Sequence, residues 1–153
     1  MGLIEKLLQP QDILLGVDVA DQAGLFQRVG EHLEHAYGLS GEWAAISLTH
    51  RERIGSTALG EGIAIPHARL KGLDCIQILY VRPHTPIPFQ APDGKPVAHF
   101  LILLVPKQAT EEHLEILAEA TQALSLPQLR VRLQASSDPL EIKRLLAFHD
   151  TRH

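Results

Sequence analysis

Apolar positions in the N-terminal third of the chain recur at the spacing of amphipathic helices. One helix is predicted to begin after Asp21, a favourable N-cap, and to end at Gly38, which suits the position just beyond a helix. A second begins at Ser40 or Gly41 and ends near residues 51–53. The inward-facing residues are predicted to be Leu25, Phe26, Val29, Leu33 and Ala36 in the first helix and Trp43, Ile46 and Leu48 in the second.

The C-terminal part of the chain contains three further helix starts. Thr110 suits the N-cap of a long helix, because two glutamates follow it at the positive end of the helix dipole. Pro127 and the pair Asp138 and Pro139 start two more helices, since proline is favoured in the first turn. The buried stripe of the long helix is predicted to consist of Leu114, Leu117, Ala118, Thr121 and Leu124.

Short apolar and β-branched runs between these helices predict strands. The predicted strands are residues 11–15, 76–81 and 97–105, and residues 63–66 are predicted to form a short strand or an extended segment. Residues 97–105 are almost wholly apolar, as expected for a strand that is covered on both faces. Residues 86–96 contain a Pro-Asp-Gly turn signal and predict an antiparallel connection between the last two strands. The sequence therefore predicts one layered α/β domain over residues 1–153, with helices flanking a small mixed sheet.

The composition is that of a soluble globular protein with one core. The chain has 153 residues, of which 45% are hydrophobic and 21% charged, and its net charge is −4. This charge argues against general nucleic-acid binding, and the basic residues within 129–133 are better explained as a solvated helix face. No apolar stretch approaches the roughly 18 residues of a membrane span, and the N-terminus does not resemble a signal peptide. The single cysteine, Cys75, predicts no disulfide and a small core residue. We therefore expect a cytoplasmic protein without membrane insertion.

A glycine-rich run over residues 55–67 carries the strongest functional signal. Glycines and small residues let a backbone approach an anion and direct N–H groups towards it. Pro66 fixes the main chain directly before His67, whose neutral imidazole is a competent nucleophile near neutral pH. The run therefore predicts phosphoryl chemistry on His67, against the plainer alternative of a histidine at a strand end. The candidate phosphate-binding residues of the loop are Gly55, Ser56, Thr57, Gly60 and Gly62.

Two further side chains could serve a phosphoryl group. Arg51 precedes the loop and could stabilise phosphoryl charge, although Arg53 is an equal candidate by chemistry and either could serve the helix C-terminus instead. His113 lies in the first turn of the long helix, where the dipole favours a neutral imidazole. It could donate to a phosphoryl oxygen, hold the tautomer of His67, or lie at the edge of the apolar stripe.

Other catalytic arrangements fit the chain less well. His32 and His35 lie three residues apart on one helix, but no third ligand is spaced to complete a metal site. The chain has no Gly-x-Ser-x-Gly elbow, and its glycine run lacks the Gly-Lys-Ser/Thr of a nucleotide-binding loop. We therefore expect no metal and no cofactor, and another protein as the phosphoryl donor.

Three ordered segments resemble the enzyme IIA domain of the fructose/mannitol class of the bacterial phosphotransferase system. Residues 51–67 resemble its phosphorylation-site signature, residues 86–97 its second segment and residues 104–118 its third. The similarity runs over about residues 3–147 and is especially marked to the nitrogen-regulatory branch of that class. Ala58 departs from the glycine common in that branch, which restricts the local backbone to negative φ.

The resemblance implies a phosphocarrier built on a mixed β-sheet of about five strands with helices packed on both faces, in agreement with the predicted layers. It implies that His67 is phosphorylated on Nε2, that His113 is a second active-site histidine and that Arg51 lies beside the phosphoryl group. It further implies that the donor is the phosphohistidine of a small HPr-like carrier protein, with no nucleotide bound.

Two physiological roles are open for such a phosphocarrier. In a regulatory role its phosphorylation changes its affinity for target proteins, since a phosphoryl group adds about −1.5 to −2 charges. In a sugar-transport role it passes the phosphoryl group to a fructose- or mannitol-type IIB domain. We expect regulation, because the chain ends without a linker or IIB domain and resembles the nitrogen-regulatory branch. A metal-dependent hydrolase that uses several of the nine histidines is a third and weaker hypothesis.

Overall fold

A mixed β-sheet forms the centre of the molecule. The computed structural model describes the backbone of residues 2–108 and 111–148, and the side chains of residues 2–108 and 115–147. The strands of this described part are β1 (Ile13–Val17), β2 (Ala58–Gly60), β3 (Ile63–Ala64), β4 (His67–Arg69), β5 (Gln77–Pro83) and β6 (His99–Val105).

The sheet is organised around β6. It pairs antiparallel with β5 and parallel with both β3 and β4, while β1 joins the far side of β5 in parallel. The strand order is β1–β5–β6–β3–β2, with β4 as a second partner of β6 beyond β3. The predicted antiparallel connection between residues 76–81 and 97–105 is confirmed. Of residues 63–66, predicted as a short strand or an extended segment, only Ile63–Ala64 form a strand. Pro66 cannot donate a main-chain hydrogen bond, and the pairing restarts at His67.

Helices cover the sheet on both faces. Those of the described part are α1 (Leu3–Leu7), α2 (Gln22–Tyr37), α3 (Gly41–Ile54), α4 (Glu111–Leu124), α5 (Pro127–Ala135) and α6 (Pro139–Phe148), with a 3₁₀ turn at Pro10–Asp12. The predicted cap of α2 is confirmed, since Asp21 accepts from the Gly24 N–H at 2.8 Å. Helix α3 begins at Gly41, one of its two predicted starts, and Ser40 caps it by accepting from the Trp43 N–H at 3.2 Å. Gly38 ends α2 with a φ of 70°. The predicted cap Thr110 lies outside the described residues.

The hydrophobic core has two parts, one on each face of the sheet. Alternate residues of β6 contribute to opposite parts, as the two-residue period of a strand requires. Leu101, Leu103 and Val105 pack with α1, α4, α5 and α6, whereas Phe100, Ile102 and Leu104 pack with α2 and α3. The predicted α/β architecture therefore holds, and its near-continuous apolar strand is buried on both faces.

Several predicted inward positions on α2 and α3 are wrong. Ala36 is exposed, and Trp43 and Ile46 are 60% and 39% exposed, whereas Leu48 is fully buried as predicted. The buried face of α3 is instead the row that shares an i, i+4 spacing, namely Ala44, Leu48 and Glu52. This row packs towards α2 and the sheet, so the two large apolar residues are left on the neighbouring face.

The predicted buried stripe of α4 is rotated by about one residue. Ile116, Ala120, Ala123 and Leu124 are buried, while Ala118 and Thr121 are exposed and Leu117 is half-buried. The Leu114 side chain lies outside those described. Two adjacent faces of α4 are about equally apolar, so its sequence does not determine which one is buried. Packing of α4 against α1 and α6 determines it. Cys75 is also exposed, not a core residue, because it lies in the loop before β5.

Helices α2 and α3 approach each other at a pair of glycines, and this contact fixes the position of α3. A Cβ atom on Gly30 would overlap the carbonyl oxygen of Gly41, and one on Gly41 would overlap that of Gly30. The two main chains therefore touch without intervening side chains. Since α3 carries Arg51 in its last turn, this contact also positions the side chains described next.

Candidate functional site

His67 is held by main-chain hydrogen bonds on both sides of its position. It opens β4, where it pairs with Leu103 of β6, and the Leu103 N–H donates to the Pro66 carbonyl at 2.9 Å. The side chain is half-buried. The main chain at His67 is therefore held rigidly, as predicted from Pro66, and the sheet contributes to this support as well as the proline ring.

A hydrogen bond selects the tautomer of the His67 imidazole. Its Nδ1 lies 2.9 Å from the Ile65 carbonyl oxygen. A carbonyl can only accept, so Nδ1 carries the proton and donates it. In the neutral ring the lone pair is then on Nε2, the nitrogen that would act as a nucleophile.

The surroundings of His67 keep its ring neutral. Burial lowers the pKa of His67 below its usual value, and the positive charge of Arg51 lowers it further. The hydrogen bond to Ile65 and the negative charge of Glu52 act in the opposite direction and raise that pKa. Because the lowering effects prevail, the nucleophilic form is the main form at neutral pH.

Arg51 and His67 lie on one open cavity of about 670 Å³. The guanidinium of Arg51 donates to the Gly55 carbonyl at 2.8 Å, so it closes the end of α3 and also faces the cavity. Arg53 is exposed and lines a different depression, next to Phe26 and Ala45. The geometry therefore places Arg51, and not Arg53, beside the imidazole.

The cavity offers positive charge within an apolar rim. Arg69 lines it together with Arg51, which suits an anionic group. Trp43 and Ile54 lie on its edge and are 60% and 84% exposed. An exposed apolar rim of this kind is typical of a surface that binds another protein.

The two hydroxyls of the predicted phosphate loop hold the loop in place. Ser56 Oγ donates to the Phe89 carbonyl at 2.9 Å and accepts from the Ala58 N–H at 3.1 Å. The Thr57 hydroxyl donates to the Glu52 carboxylate. Gly55 is exposed and directly follows α3, next to Arg51.

Gly60 and Gly62 lie at the other end of β6 from His67. They flank the turn between β2 and β3, with φ of 90° and 78°, conformations that favour glycine. The Gly62 carbonyl accepts from the His99 N–H at 3.0 Å, four residues before Leu103. At the rise of a strand this is a distance of about 13 Å from the main chain at His67. The structure therefore does not bring these two glycines to the imidazole.

The second predicted histidine, His113, lies in the first turn of α4. Its side chain is outside those that the structure describes. The tautomer of His67 is set by the Ile65 carbonyl, so that function does not require His113.

Glu52 was not predicted from the sequence, and it contacts the glycine-rich loop at Thr57. Its carboxylate is 7% exposed and accepts from both the N–H and the hydroxyl of Thr57. A glutamate beside two arginines in a helix looks like a solvated residue in the sequence. Only its i, i+4 spacing to Leu48 could have indicated burial.

Neither a metal-binding cluster nor a membrane-spanning helix occurs in the described part of the chain. No three His, Cys, Asp or Glu side chains there form a group that could hold a metal ion. His32, weighed as a metal ligand, pairs instead with the buried carboxylate of Asp12 at 2.7 Å. No helix of this part of the chain is long and apolar enough to span a membrane.

Comparison with known proteins adds to this geometry. The family model for the EIIA 2 component of the phosphoenolpyruvate-dependent sugar phosphotransferase system matches residues 6–148. A nitrogen regulatory protein of Bradyrhizobium diazoefficiens is 33% identical over 144 residues, which are 94% of each protein. The crystal structure of nitrogen regulatory protein IIA-Ntr from Neisseria meningitidis superposes with a TM-score of 0.89 at 39% identity, over 95% of this chain and 99% of that one.

A more distant relative shares the fold alone. It is enzyme IIAMTL of Escherichia coli, in a complex with phosphorylated enzyme IIBMTL, with a TM-score of 0.72 at 22% identity. The similarity covers 93% of this chain and 99% of that one. The mixed α/β fold predicted from the sequence is thus confirmed by its neighbours.

Proposed function

The chain belongs to the EIIA type 2 family of the phosphoenolpyruvate-dependent sugar phosphotransferase system, and from this membership we propose that it is a regulatory phosphocarrier. It accepts a phosphoryl group on His67 from the phosphohistidine of an HPr-like protein. Its phosphorylation state then changes its affinity for target proteins. The observation that carries the proposal is the Nδ1–H of His67 donated to Ile65, which leaves the lone pair on Nε2 beside Arg51.

Phosphoryl acceptance at His67 requires no proton transfer. Nε2 attacks the phosphorus atom in line, the N–P bond of the donor breaks, and its electron pair returns to the donor ring. The Nδ1 proton stays in its hydrogen bond to the Ile65 carbonyl. The His67 ring therefore gains positive charge while the phosphoryl group keeps its negative charge. No nucleotide or metal takes part in this step.

The neighbouring groups stabilise charge on the transferred phosphoryl group. Arg51 is placed for this role because it lines the cavity with His67, and a guanidinium matches phosphoryl oxygens in charge and geometry. His113 is proposed to assist from the N-terminal turn of α4. Of the glycine-rich loop, Gly55 adjoins Arg51, while Ser56, Thr57, Gly60 and Gly62 are proposed to shape the loop that supports the site.

The exposed apolar rim is proposed as the surface that meets the donor. Trp43, Ile46 and Ile54 line the cavity and are all exposed. A carrier has to bind its donor and targets in turn, so a modest apolar patch around the reactive nitrogen suits short-lived contacts. The phosphoryl group would add about −1.5 to −2 charges at its centre. Such a change is large enough to alter which protein binds.

Regulation is favoured over sugar transport by similarity to nitrogen regulatory proteins over nearly the whole chain. The alternative is a sugar-transport IIA protein that passes its phosphoryl group to a fructose- or mannitol-type IIB domain. It is supported by the shared fold with enzyme IIAMTL, which was solved with phosphorylated enzyme IIBMTL. In either role the proposed place of action is the cytoplasm.

The test is phosphoryl transfer from a labelled HPr-like carrier to purified protein. We expect the wild type to be labelled and His67→Ala to remain unlabelled. His50→Ala is a matched control, because His50 lines the same cavity and is exposed. Labelling of His67→Ala at the wild-type level would overturn the assignment. Rapid passage of label to a sugar-specific IIB protein would overturn the preference for regulation.

A further inference from the structure

Glu52 is a buried carboxylate in an unfavourable place. It lies in the last turn of α3, where the negative end of the helix dipole disfavours an acidic side chain. It is only 7% exposed. Burial of a charge costs free energy unless hydrogen bonds compensate for the lost water. Both the helix position and the burial of Glu52 are unfavourable, so the stability of α3 does not explain why a glutamate is found there.

Both carboxylate oxygens of Glu52 are bound by a single residue of the glycine-rich loop. Oε2 accepts from the Thr57 N–H at 3.1 Å, and Oε1 accepts from the Thr57 hydroxyl. Charge-assisted hydrogen bonds of this kind are the stronger ones in proteins. Thr57 is itself 7% exposed, so water does not compete freely for the pair.

Two more hydrogen bonds connect Thr57 to the imidazole of His67. The Thr57 carbonyl accepts from the Ile65 N–H at 3.2 Å. The Ile65 carbonyl accepts from Nδ1–H of His67 at 2.9 Å. Glu52 is therefore connected to His67 through the main chain of Thr57 and Ile65, with one hydrogen bond at each junction.

The charge of Glu52 also acts directly on His67. It raises the pKa of His67, in opposition to the burial of the ring and to Arg51. Glu52 and Arg51 are neighbours in sequence, yet only Glu52 is buried. The two charges therefore act on His67 in opposite directions, Arg51 from the cavity that both share and Glu52 from a buried position.

We propose that Glu52, acting through Thr57 and Ile65, is a positioning residue that holds His67 as the Nδ1–H tautomer and offsets the positive charge of the phosphorylated ring. The inference rests on the proposed function, since the ring gains that charge only when Nε2 forms its bond to phosphorus. The donor's N–P bond breaks in the same step and its electron pair stays with the donor. The Nδ1 proton does not move, so a distant carboxylate suffices and no proton acceptor is needed.

The decisive variant is Glu52→Gln. The amide oxygen can still accept from the Thr57 N–H, and the Thr57 hydroxyl can turn to accept from the amide nitrogen. The exchange therefore removes the charge and keeps the shape. Glu31→Gln is the matched control, because Glu31 is an exposed glutamate of α2.

Two readouts follow each variant. The first is the pKa and tautomer of His67, measured by ¹⁵N-detected histidine NMR on the unphosphorylated protein. In Glu52→Gln we expect the pKa of His67 to fall, and the Nδ1–H signal to broaden. The second is the rate of labelling by the phosphorylated carrier, which we expect to fall about tenfold, the loss that follows from weakening one charge-assisted hydrogen bond. Glu31→Gln should match the wild type in both.

A purely structural role would give a different result. If Glu52→Gln melts at a lower temperature but keeps the wild-type His67 pKa, tautomer and labelling rate, the inference is overturned. If the wild type itself is not labelled, the proposed function fails, while the NMR readout still decides whether Glu52 sets the tautomer. The two failures are therefore distinguishable.

A second pair of variants covers the case in which Glu52→Gln does not fold. Thr57→Val removes the hydroxyl that Glu52 binds but keeps the N–H and the side-chain shape. Thr57→Ser restores the hydroxyl. We expect Thr57→Val to slow labelling and broaden the Nδ1–H signal of His67, and Thr57→Ser to recover both. Equal behaviour of the two variants and the wild type would refute the proposed connection.

Discussion

The contact between α2 and α3 allows a test of how the site is positioned. Gly30 lies in the interior of α2, where alanine is the better helix former by about 1 kcal/mol. From the helix alone, Gly30→Ala should stabilise the protein. The structure predicts the reverse, because the added Cβ would overlap the Gly41 carbonyl oxygen and lie 3.0 Å from its carbonyl carbon. Ordinary van der Waals contacts begin at 3.4 Å.

The size of the effect follows from what must move. The neighbour is main chain, which cannot rotate away as a side chain does, so α3 has to shift by roughly 0.5–1 Å, enough to forfeit a quarter to a half of the dispersion energy of affected contacts. Val29, Leu33, Ala44 and Leu48 are fully buried in this region. An overpacking cost of about 3 kcal/mol exceeds the gain in helix propensity of about 1 kcal/mol. The net loss is about 2 kcal/mol, or about 4–8 °C in melting temperature for a chain of this length.

Urea unfolding and thermal melting followed by circular dichroism measure this loss. Gly24→Ala is the matched control, since Gly24 lies in the same helix and the nearest atoms to a Cβ there belong to side chains, those of Asp21 at 3.2 Å and Val19 at 3.7 Å. We expect it to lie within about 0.5 kcal/mol of the wild type, the usual range of a substitution away from close packing. A Gly30→Ala protein as stable as the wild type, or more stable, would refute the reasoning.

Three further predictions concern titratable side chains. Arg51→Gln should raise the pKa of His67 in an NMR titration, because the positive charge of Arg51 lowers that pKa. Arg53→Gln, at an exposed arginine, should leave the pKa of His67 unchanged. An equal shift in both variants would contradict the geometry. Tyr80→Phe removes the hydroxyl that lies 2.7 Å from Nδ1 of His99 in the core. It should lower the free energy of unfolding by about 1–3 kcal/mol, measured by urea unfolding. Unchanged stability would count against that hydrogen bond. Burial lowers the pKa of His99 from 6.5 to about 4. The unfolded state therefore binds more protons between these values, and stability should fall as the pH falls from 6.5 towards 4. His99→Gln should weaken this dependence, and an unaltered slope would assign it to other groups.

Much of the fold could be predicted because its signals are local. Asp21 caps α2 with the hydrogen bond that its position indicated, and α3 begins at Gly41, one of its two predicted starts. The apolar run of β6, a central strand of the sheet, is buried on both faces as its composition required. Such features depend on neighbours within a few residues, so one sequence is enough to reveal them.

The wrong predictions of buried positions arose where packing between elements distant in sequence decides which side chains are buried. Trp43 and Ile46 are exposed because α3 turns its Ala44 and Leu48 row towards α2. The helix pattern fixes the period of burial but not which of two adjacent apolar faces is buried. Likewise, the contact between Gly30 and Gly41 has no signal in the sequence, and only the structure shows it.

The sequence predicted which residues of the candidate site carry its chemistry better than it predicted where they lie. His67 and Arg51 were predicted together, and the structure places them on one cavity. Gly60 and Gly62 looked equivalent to Gly55 within one loop, but the sheet carries them to the far end of β6. Glu52 was not predicted as part of the site, because its role depends on hydrogen bonds to Thr57, which lies five residues further along the chain, after a turn.

The central claim is that His67 receives the phosphoryl group on Nε2. The most direct measurement is NMR of protein labelled with ¹⁵N at histidine and phosphorylated by its carrier, in which coupling to ³¹P identifies the bonded nitrogen. We predict coupling at Nε2 of His67, with Nδ1 still protonated and bound to the Ile65 carbonyl. Coupling at Nδ1, or at another histidine, would contradict the account.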